Sequence, residues 1–276
     1  MSSFQLIEHI GKGSHGHVYK GIWNNKTVAI KQISRSNHTK SQWMNEINVM
    51  KTLKEYNMNI PIPKVYSSEV HQDYMYIIMD YLVGDNGTKV LQHSNKTKLY
   101  PAASVMKRWM YDICKVCYHT HQLGVLYNDF KPQNIILKGS ELHVVDFGSC
   151  REFDPKDIKL IGTPFFYSPE KCENAYGFKA DVWAIAITMY MMGCGIHPFL
   201  DHKVENMYEL QHLLHINKLD FHLPQWDQQD SEFLEILSQM LQKEESKRPT
   251  IAKILSHDYF EDLRVIYPMD YPVEYM

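Results

Sequence analysis

The sequence predicts an α+β fold: a small antiparallel sheet carrying one helix, followed by a larger and mainly helical part. Three observations carry that expectation. In the first 80 or so positions, apolar and aromatic residues fall in runs of strand length separated by glycine and asparagine turns. After about residue 100, apolar residues recur at intervals of three and four. No internal repeat, low-complexity tract or long charge run divides the chain, and strands and helices do not alternate as βαβ units would.

The elements follow in order. Phe4 to Ile10 and His17 to Trp23 read as strands flanking the turn Gly11-Lys12-Gly13-Ser14-His15-Gly16. Asn24-Asn25-Lys26 turns the chain into a third strand, Thr27 to Ile33. Trp43, Glu46, Met50 and Leu53 share one helical stripe. Tyr74 to Leu82 is a further apolar strand, and Gly84-Asp85-Asn86-Gly87 is a natural joint after it. Val105, Trp109, Ile113 and Val116 then mark a helix that Gly124 ends, and Phe233, Leu237, Met240 and Leu241 mark another, with Ser231 placed to cap it. The expected division is one domain of two lobes, 1–82 and 88–260, with a hinge at 83–87 and an extension at 261–276.

Composition narrows the function classes. With 276 residues, 44% hydrophobic and 22% charged, the chain is that of an ordinary globular protein with a sizeable core. A net charge of -3 gives no basic surface for nucleic acid. The longest apolar run, Ala184 to Gly193, is too short to cross a bilayer. The N-terminal residues lack the basic and apolar regions of a secretory signal and the second-position glycine of a myristoylation site. Five cysteines, an odd number, fit reduced thiols in an intracellular compartment, cytoplasmic or nuclear. Cys114 and Cys117 have no second pair to complete a zinc site, and the fifteen histidines, including His119 with His121 and His212 with His215, form no metal motif.

Two clusters carry chemistry. Gly11, Gly13 and Gly16 could let backbone amides approach phosphate oxygens, although this spacing also opens dinucleotide-binding helices. Here a strand follows the turn rather than a helix, so it reads as a hairpin lid. Lys31, in the apolar run Val28-Ala29-Ile30-Lys31, needs a partner if buried, and Glu46 on the inward helical stripe is the best placed. The second cluster is Tyr127-Asn128-Asp129-Phe130-Lys131-Pro132-Gln133-Asn134, followed by Asp146-Phe147-Gly148. It offers a carboxylate to accept a hydroxyl proton, a lysine, and amide and carboxylate oxygens for a metal.

With these segments the chain resembles the eukaryotic serine/threonine protein kinases from about Phe4 to about Phe260. The resemblance implies the bilobal kinase fold, in which the helix carrying Glu46 is regulatory. It also implies ATP and Mg2+ as nucleotide and metal, and protein serine or threonine hydroxyls as acceptors. Asp129 would then be the catalytic base and Lys131 would neutralise the moving phosphoryl group. Asn134 and Asp146 would hold magnesium, and Lys31, paired with Glu46, would hold the α- and β-phosphates. Met79 would guard the back of the adenine pocket, the backbone from Asp80 to Leu82 would bond the purine, and Val18, Ala29 and Ile136 would wall it. Gly162-Thr163-Pro164 resembles the segment whose threonine contacts base and lysine. Glu170 resembles the partner of a late arginine, here Arg248, and Asp181-Val182-Trp183 the anchor of the catalytic loop.

The departures are informative. Asn128 stands where most such kinases have arginine, and Tyr127 where most have histidine. That arginine usually receives a phosphorylated activation segment, yet 150–162 contains no serine, threonine or tyrosine. The enzyme is therefore expected to need no phosphorylation there, and a homodimer or partner against the helix carrying Glu46 is expected to hold that helix inward. Gln133 replaces a glutamate that often reads substrate arginines. The compact length resembles kinases of large DNA viruses such as those of insect baculoviruses. A pseudokinase scaffold is the alternative reading, encouraged by Asn128, and a small-molecule kinase is disfavoured by the 162–170 segment, which resembles a peptide-docking element.

Overall fold

Alternating burial from Phe4 onward builds a five-stranded antiparallel sheet in a computed structural model that describes residues 3–13, 16–36, 40–200, 202 and 204–268, with the backbone alone over 40–42. Its strands are β1 (Phe4–Gly13), β2 (Gly16–Trp23), β3 (Lys26–Ser34), β4 (Val65–His71) and β5 (Tyr74–Asp80), in the order β1-β2-β3-β5-β4. Between β3 and β4 lies helix α1 (Lys40–Tyr56). The β2–β3 turn works because Asn24 and Asn25 both take positive φ, 47° and 60°, which asparagine tolerates and a two-residue hairpin turn requires.

β3 is central, so Val28, Ala29, Ile30 and Lys31 are all buried. One face of the sheet receives Trp43, Ile47, Met50 and Leu53 of α1 on Ile33, Met75 and Ile77, in a core continuous with that of the second part. β4 was not legible in the sequence. Its interior Ser67-Ser68-Glu69 lacks an apolar run, and as an edge strand with a bulge after Val65 it needs none.

The second part begins sooner than the joint at 83–87 would place it. Asp85–Asn86 (β6) already pairs with β8 (Ile135–Lys138), which pairs in turn with β9 (Glu141–Val144), so the crossing is confined to 81–84. A Cβ on Gly84 would meet Ile136 Cγ2 at 2.9 Å, so only glycine passes there. Helix α2 (Gly87–Thr97) is capped by the Asn86 side chain, and α3 (Ala103–Gln122) ends before Gly124 at φ 70°. Short strands β7 (Val125–Leu126) and β10 (Arg151–Glu152) pair with each other.

Helix α4 (Pro169–Cys172) precedes α5 (Lys179–Cys194), which is buried on nearly every face and forms the centre of this part. α6 (Met207–Ile216), α7 (Ser231–Met240), α8 (Ile251–Leu255) and α9 (Glu261–Ile266) surround it. Among the described residues no helix is long and apolar enough to cross a membrane. Ser231 does not cap α7 as expected: Asp230 holds the extended cap position, and the Ser231 hydroxyl donates to Glu232. In the 261–276 extension, Tyr267 and Pro268 return to α3, where their carbonyls accept from Tyr111 and Lys115 and the Tyr267 ring stacks 3.4 Å from the Arg108 guanidinium. Met269, Tyr271 and Pro272 lie outside the described residues.

Arg248, 1% exposed, joins the helices around α5. It makes a two-pronged pair with Glu170 at 2.6 and 3.1 Å, and it also donates to the carbonyls of Lys179 and Gln242. All its donors are used, as burial of a guanidinium demands. Arg248→Leu should lower stability by about 3–5 kcal/mol in urea melts, because it strands the Glu170 carboxylate. Adding Glu170→Leu should restore part of the loss. A single variant within about 1 kcal/mol of the parent would show the pair to be unimportant.

Candidate active site

The loop after β7 is shaped by one carboxylate. Asp181, buried at the start of α5, accepts the backbone N–H groups of Tyr127 and Asn128, both at 2.8 Å, and His121 Nε2 lies 3.1 Å from it. Taking two successive amides on one carboxylate turns the chain, and Asn128 sits at φ 70°, a region asparagine enters more readily than most residues. Tyr127 is fully buried, its ring stacked on Phe130 at 4.1 Å and edge-on to Phe147. Its hydroxyl donates toward the carbonyls of Val145 and Asp146 at 2.6 and 3.1 Å. Tyr127 thus does more than fill space: it joins the 127–134 loop to the 146–148 turn. Burial pushes its phenol well above the usual range, and the nearby Asp146 and Asp129 carboxylates add to that.

Around Asp129 three side chains meet. Its Oδ1 accepts from Thr163 Oγ1 at 2.8 Å, and its Oδ2 lies 3.0 Å from Asn134 Nδ2 and 2.7 Å from Lys131 Nζ. Lys131 also donates to Thr163 at 2.7 Å. The threonine of Gly162-Thr163-Pro164 therefore touches both Asp129 and Lys131. Gly162, at φ 104°, presses so close to the loop that a Cβ would collide with the Asn128 carbonyl.

The second cluster is Lys31, Glu46 and Asp146. Lys31 Nζ is 2.6 Å from Glu46 Oε1 and 2.7 Å from Asp146 Oδ1. Burial opposes its charge, but the Asp146 and Glu46 carboxylates outweigh that and raise the ammonium above its ordinary range. Asp146 adopts φ 64° and accepts the Gly148 N–H. Its Oδ2 faces Gly13 across the cleft, where a Cβ would stand 3.2 Å away. Gly11, Gly13 and Gly16 lie on the β1–β2 hairpin, whose tip residues Ser14 and His15 are outside the described residues. Next to Glu46, Asn45 donates to the Cys150 carbonyl at 2.9 Å.

Of the expected purine-site residues, those on the sheet are neighbours, and Ile136 lies beside the crossing. Ala29 pairs with Met79 across β3 and β5, Val18 pairs with Lys31, and Gly84 of the crossing touches Ile136 on β8. Asp80 departs in detail. Its N–H donates to Lys64 O and its carboxylate accepts from Lys64 N–H and the Tyr66 hydroxyl, so the backbone on offer runs from its carbonyl through Leu82.

Two groups escaped the sequence reading. His197 is buried with Nδ1 accepting the N–H groups of Phe199 and Leu200 at 3.1 Å, which leaves Nε2–H to donate to the Phe165 carbonyl at 3.0 Å. Burial lowers its pKa to about 3. Lys171 is the other, only 3% exposed, donating to Asn128 Oδ1 at 3.0 Å. A lysine beside Glu170 in a short helix reads from sequence as solvent-facing, and only the fold buries it. Among the described residues Cys117, His121 and Asp181 are close enough to share a metal, but both Asp181 oxygens already hold amides and burial pushes the Cys117 thiol well above its usual range.

A family model described as a protein kinase domain matches residues 4–260. The chain is 27% identical over 222 aligned residues to the serine/threonine-protein kinase DCLK3 of Mus musculus, which covers 78% of this chain and 27% of that protein. It is 26% identical over 286 aligned positions to a CDPK-related protein kinase of Daucus carota, covering 98% of this chain and 46% of the relative. The chain thus spans less than half the length of either relative.

His197 gives the site a pH signature. Its folded pKa lies below the ordinary 6.5, so the unfolded chain binds the extra proton. The stability it contributes is complete above about pH 6.5 and declines between there and pH 3, by up to about 1.4 kcal/mol per pH unit. Urea melts between pH 7.5 and about pH 4.5 should show the parent losing stability faster than His197→Gln. Parallel slopes would mean that His197 accepts a proton in the folded state.

Proposed function

The chain belongs to the protein kinase domain family, and from that premise we propose that it transfers the γ-phosphate of ATP to serine and threonine hydroxyls of proteins without prior phosphorylation of its own 150–162 segment. The observation that carries this reading is the contact of Thr163 with both Asp129 and Lys131. It seats a docking segment directly on a carboxylate and an ammonium placed for hydroxyl chemistry. The names of the two relatives agree with such an acceptor.

In this reading Asp129 orients the acceptor hydroxyl and takes its proton as the new P–O bond forms. Thr163 and Asn134 fix the two oxygens of its carboxylate, so one proton-accepting geometry persists. Lys131 stands beside Asp129, where negative charge on the transferring group would accumulate. Lys31, held by Glu46 and Asp146, would draw the α- and β-phosphates beneath the Gly11–Gly16 hairpin. Val18, Ala29, Met79 and Ile136 supply the apolar slot for the purine.

The donors fit Mg2+, which takes oxygen ligands. Asn134 spends its Nδ2 on Asp129 and keeps its amide oxygen for a ligand, while Asp146 Oδ2 lies under Gly13, where a Cβ would stand 3.2 Å away. When bound, the ion would neutralise charge between phosphate oxygens.

Independence from segment phosphorylation is supported by the surroundings of Asn128. The cleft beside it is lined by Glu152, Asp154 and Asp157 as well as Arg151 and Lys159, and Lys159 pairs with Asp157 at 2.6 Å. That lining is no anion site. Glu46 is held inward within one chain, by Lys31 and by the neighbouring Asn45–Cys150 bond, so the homodimer or partner expected at α1 would act on a helix already in place.

Protein made in a host without such kinases, and shown by mass spectrometry to carry no phosphate between Asp146 and Glu170, should label serine or threonine in a peptide array. Asp129→Asn should reduce turnover by about 10²–10⁴-fold while nucleotide binding persists. Activity that appears only after phosphorylation of that segment would overturn the proposal's second half. Nucleotide-bound but inactive parent protein would point to a scaffold.

A further inference from the structure

A lysine at 3% exposure in a segment next to the reacting groups needs an account, because apolar residues fill such positions at less cost. Lys171 is neither one of the groups around Asp129 nor part of the Lys31 cluster. Its ammonium sits 4.9 Å from the centre of the Tyr167 ring and 4.5 Å from that of Tyr176, within cation–π range of both. Its hydrogen bond goes to Asn128 Oδ1 at 3.0 Å. Burial pulls its pKa down to about 8, against the opposing pull of Asp181, Asp129 and Glu170, so it is largely protonated at neutral pH.

What these three partners hold is the point. Tyr167 directs its hydroxyl to the Gly162 carbonyl at 3.4 Å, and Tyr176 donates to the Lys159 carbonyl at 2.5 Å. Asn128 precedes Asp129 directly, donates its own amide toward the carbonyls of Leu126 and Ser149, and packs its carbonyl oxygen against Gly162. One cation thus draws together the loop that carries Asp129 and both ends of the 159–167 segment that carries Thr163.

We propose that Lys171 is a positioning residue for phosphoryl transfer, an internal cation that clamps the 159–167 segment onto the Asp129 loop and so does permanently what an added phosphate would do on demand. The inference rests on the kinase reading above and names how that site is held in its working arrangement. Lys171 acts through Asn128, Tyr167 and Tyr176 and touches no reacting atom. Without it, Thr163 loses its fixed distance to Asp129, and the acceptor hydroxyl its fixed distance to the base.

The test compares the parent chain with Lys171→Met, Lys171→Arg and Asn128→Ser. Three quantities are read: kcat and KM for a serine peptide, affinity for a fluorescent ATP analogue, and amide hydrogen exchange over 159–167. Lys171→Met should lower kcat by about tenfold or more and speed exchange in 159–167 by a similar factor, with nucleotide affinity within about twofold of the parent. Lys171→Arg should recover most of both. Asn128→Ser, which keeps the lysine but shortens its acceptor, should reproduce the faster exchange, and it decides the matter if Lys171→Met does not fold. Unchanged exchange in the variants that fold overturns the clamp, as does faster exchange with kcat within about twofold of the parent. A parent chain that binds nucleotide yet labels no peptide would sink the kinase reading instead, and the exchange measurements alone would then judge the clamp.

Discussion

Everything in the cleft hangs from the Asp181 carboxylate. A carboxylate buried in an apolar helix is costly unless its lone pairs are filled, and here the amides of Tyr127 and Asn128 fill them. The same two bonds that satisfy Asp181 dictate the path of the next residues. They tip Asn128 into left-handed backbone, which sends Asp129 toward Asn134 and Thr163 and leaves the Asn128 side chain pointing back to Lys171. One desolvated charge therefore determines where the Asp129 carboxylate, the 162–164 segment and a buried ammonium meet. Arg248 plays a similar part farther out, holding Glu170 next to Lys171.

The cleft's charges are balanced in pairs rather than in bulk, as a chain of net charge -3 allows. Lys31 faces two carboxylates, Lys131 faces Asp129, and Lys171 faces an amide and two rings. The differences matter. Lys31 gains from both acids, and its ammonium is held firmly charged. Among the described residues Lys171 bonds to no carboxylate, and burial weakens its hold on its proton. In the proposed reading the first meets a ligand and the second holds protein to protein.

Much of this was legible because the relevant signals are local. The Gly11–Gly16 turn, the apolar strand around Lys31, the inward stripe through Glu46 and the 127–134 run each declare themselves within a dozen residues. What escaped depends on contacts between distant segments. β4 is a strand only because β5 lies beside it, and its polar face gave no periodic signal. Ser231 looked like a cap, yet the extended residue before α7 is Asp230. Lys171 and His197 are polar residues whose burial comes from packing of α4 and the 195–200 turn against the 160–167 segment, which no spacing within either stretch reveals. The Tyr127 hydroxyl belongs to the same class: tyrosine promised bulk, but its bond to the Asp146 backbone requires the fold.

The absence of acceptor hydroxyls in 150–162 and the burial of Lys171 bear on each other. A segment held by a phosphate can be released when the phosphate is removed, so its order is reversible and costs little outside the modified state. A segment held by a lysine under two aromatic rings is ordered as part of folding itself, and its disorder would expose those rings together with the cation's partners. On the proposed reading, such a chain gives up switching at this position in exchange for a site complete as soon as it folds. Glu46 tells the same story on the other side of the cleft, because its helix is tied through Asn45 to Cys150, at the start of that same segment. The two halves of the cleft are thus linked by a stretch that carries no serine, threonine or tyrosine hydroxyl between Cys150 and Gly162, and the crossing at 81–84 joins them a second time, with Gly84 packed directly against Leu137 and Ile136.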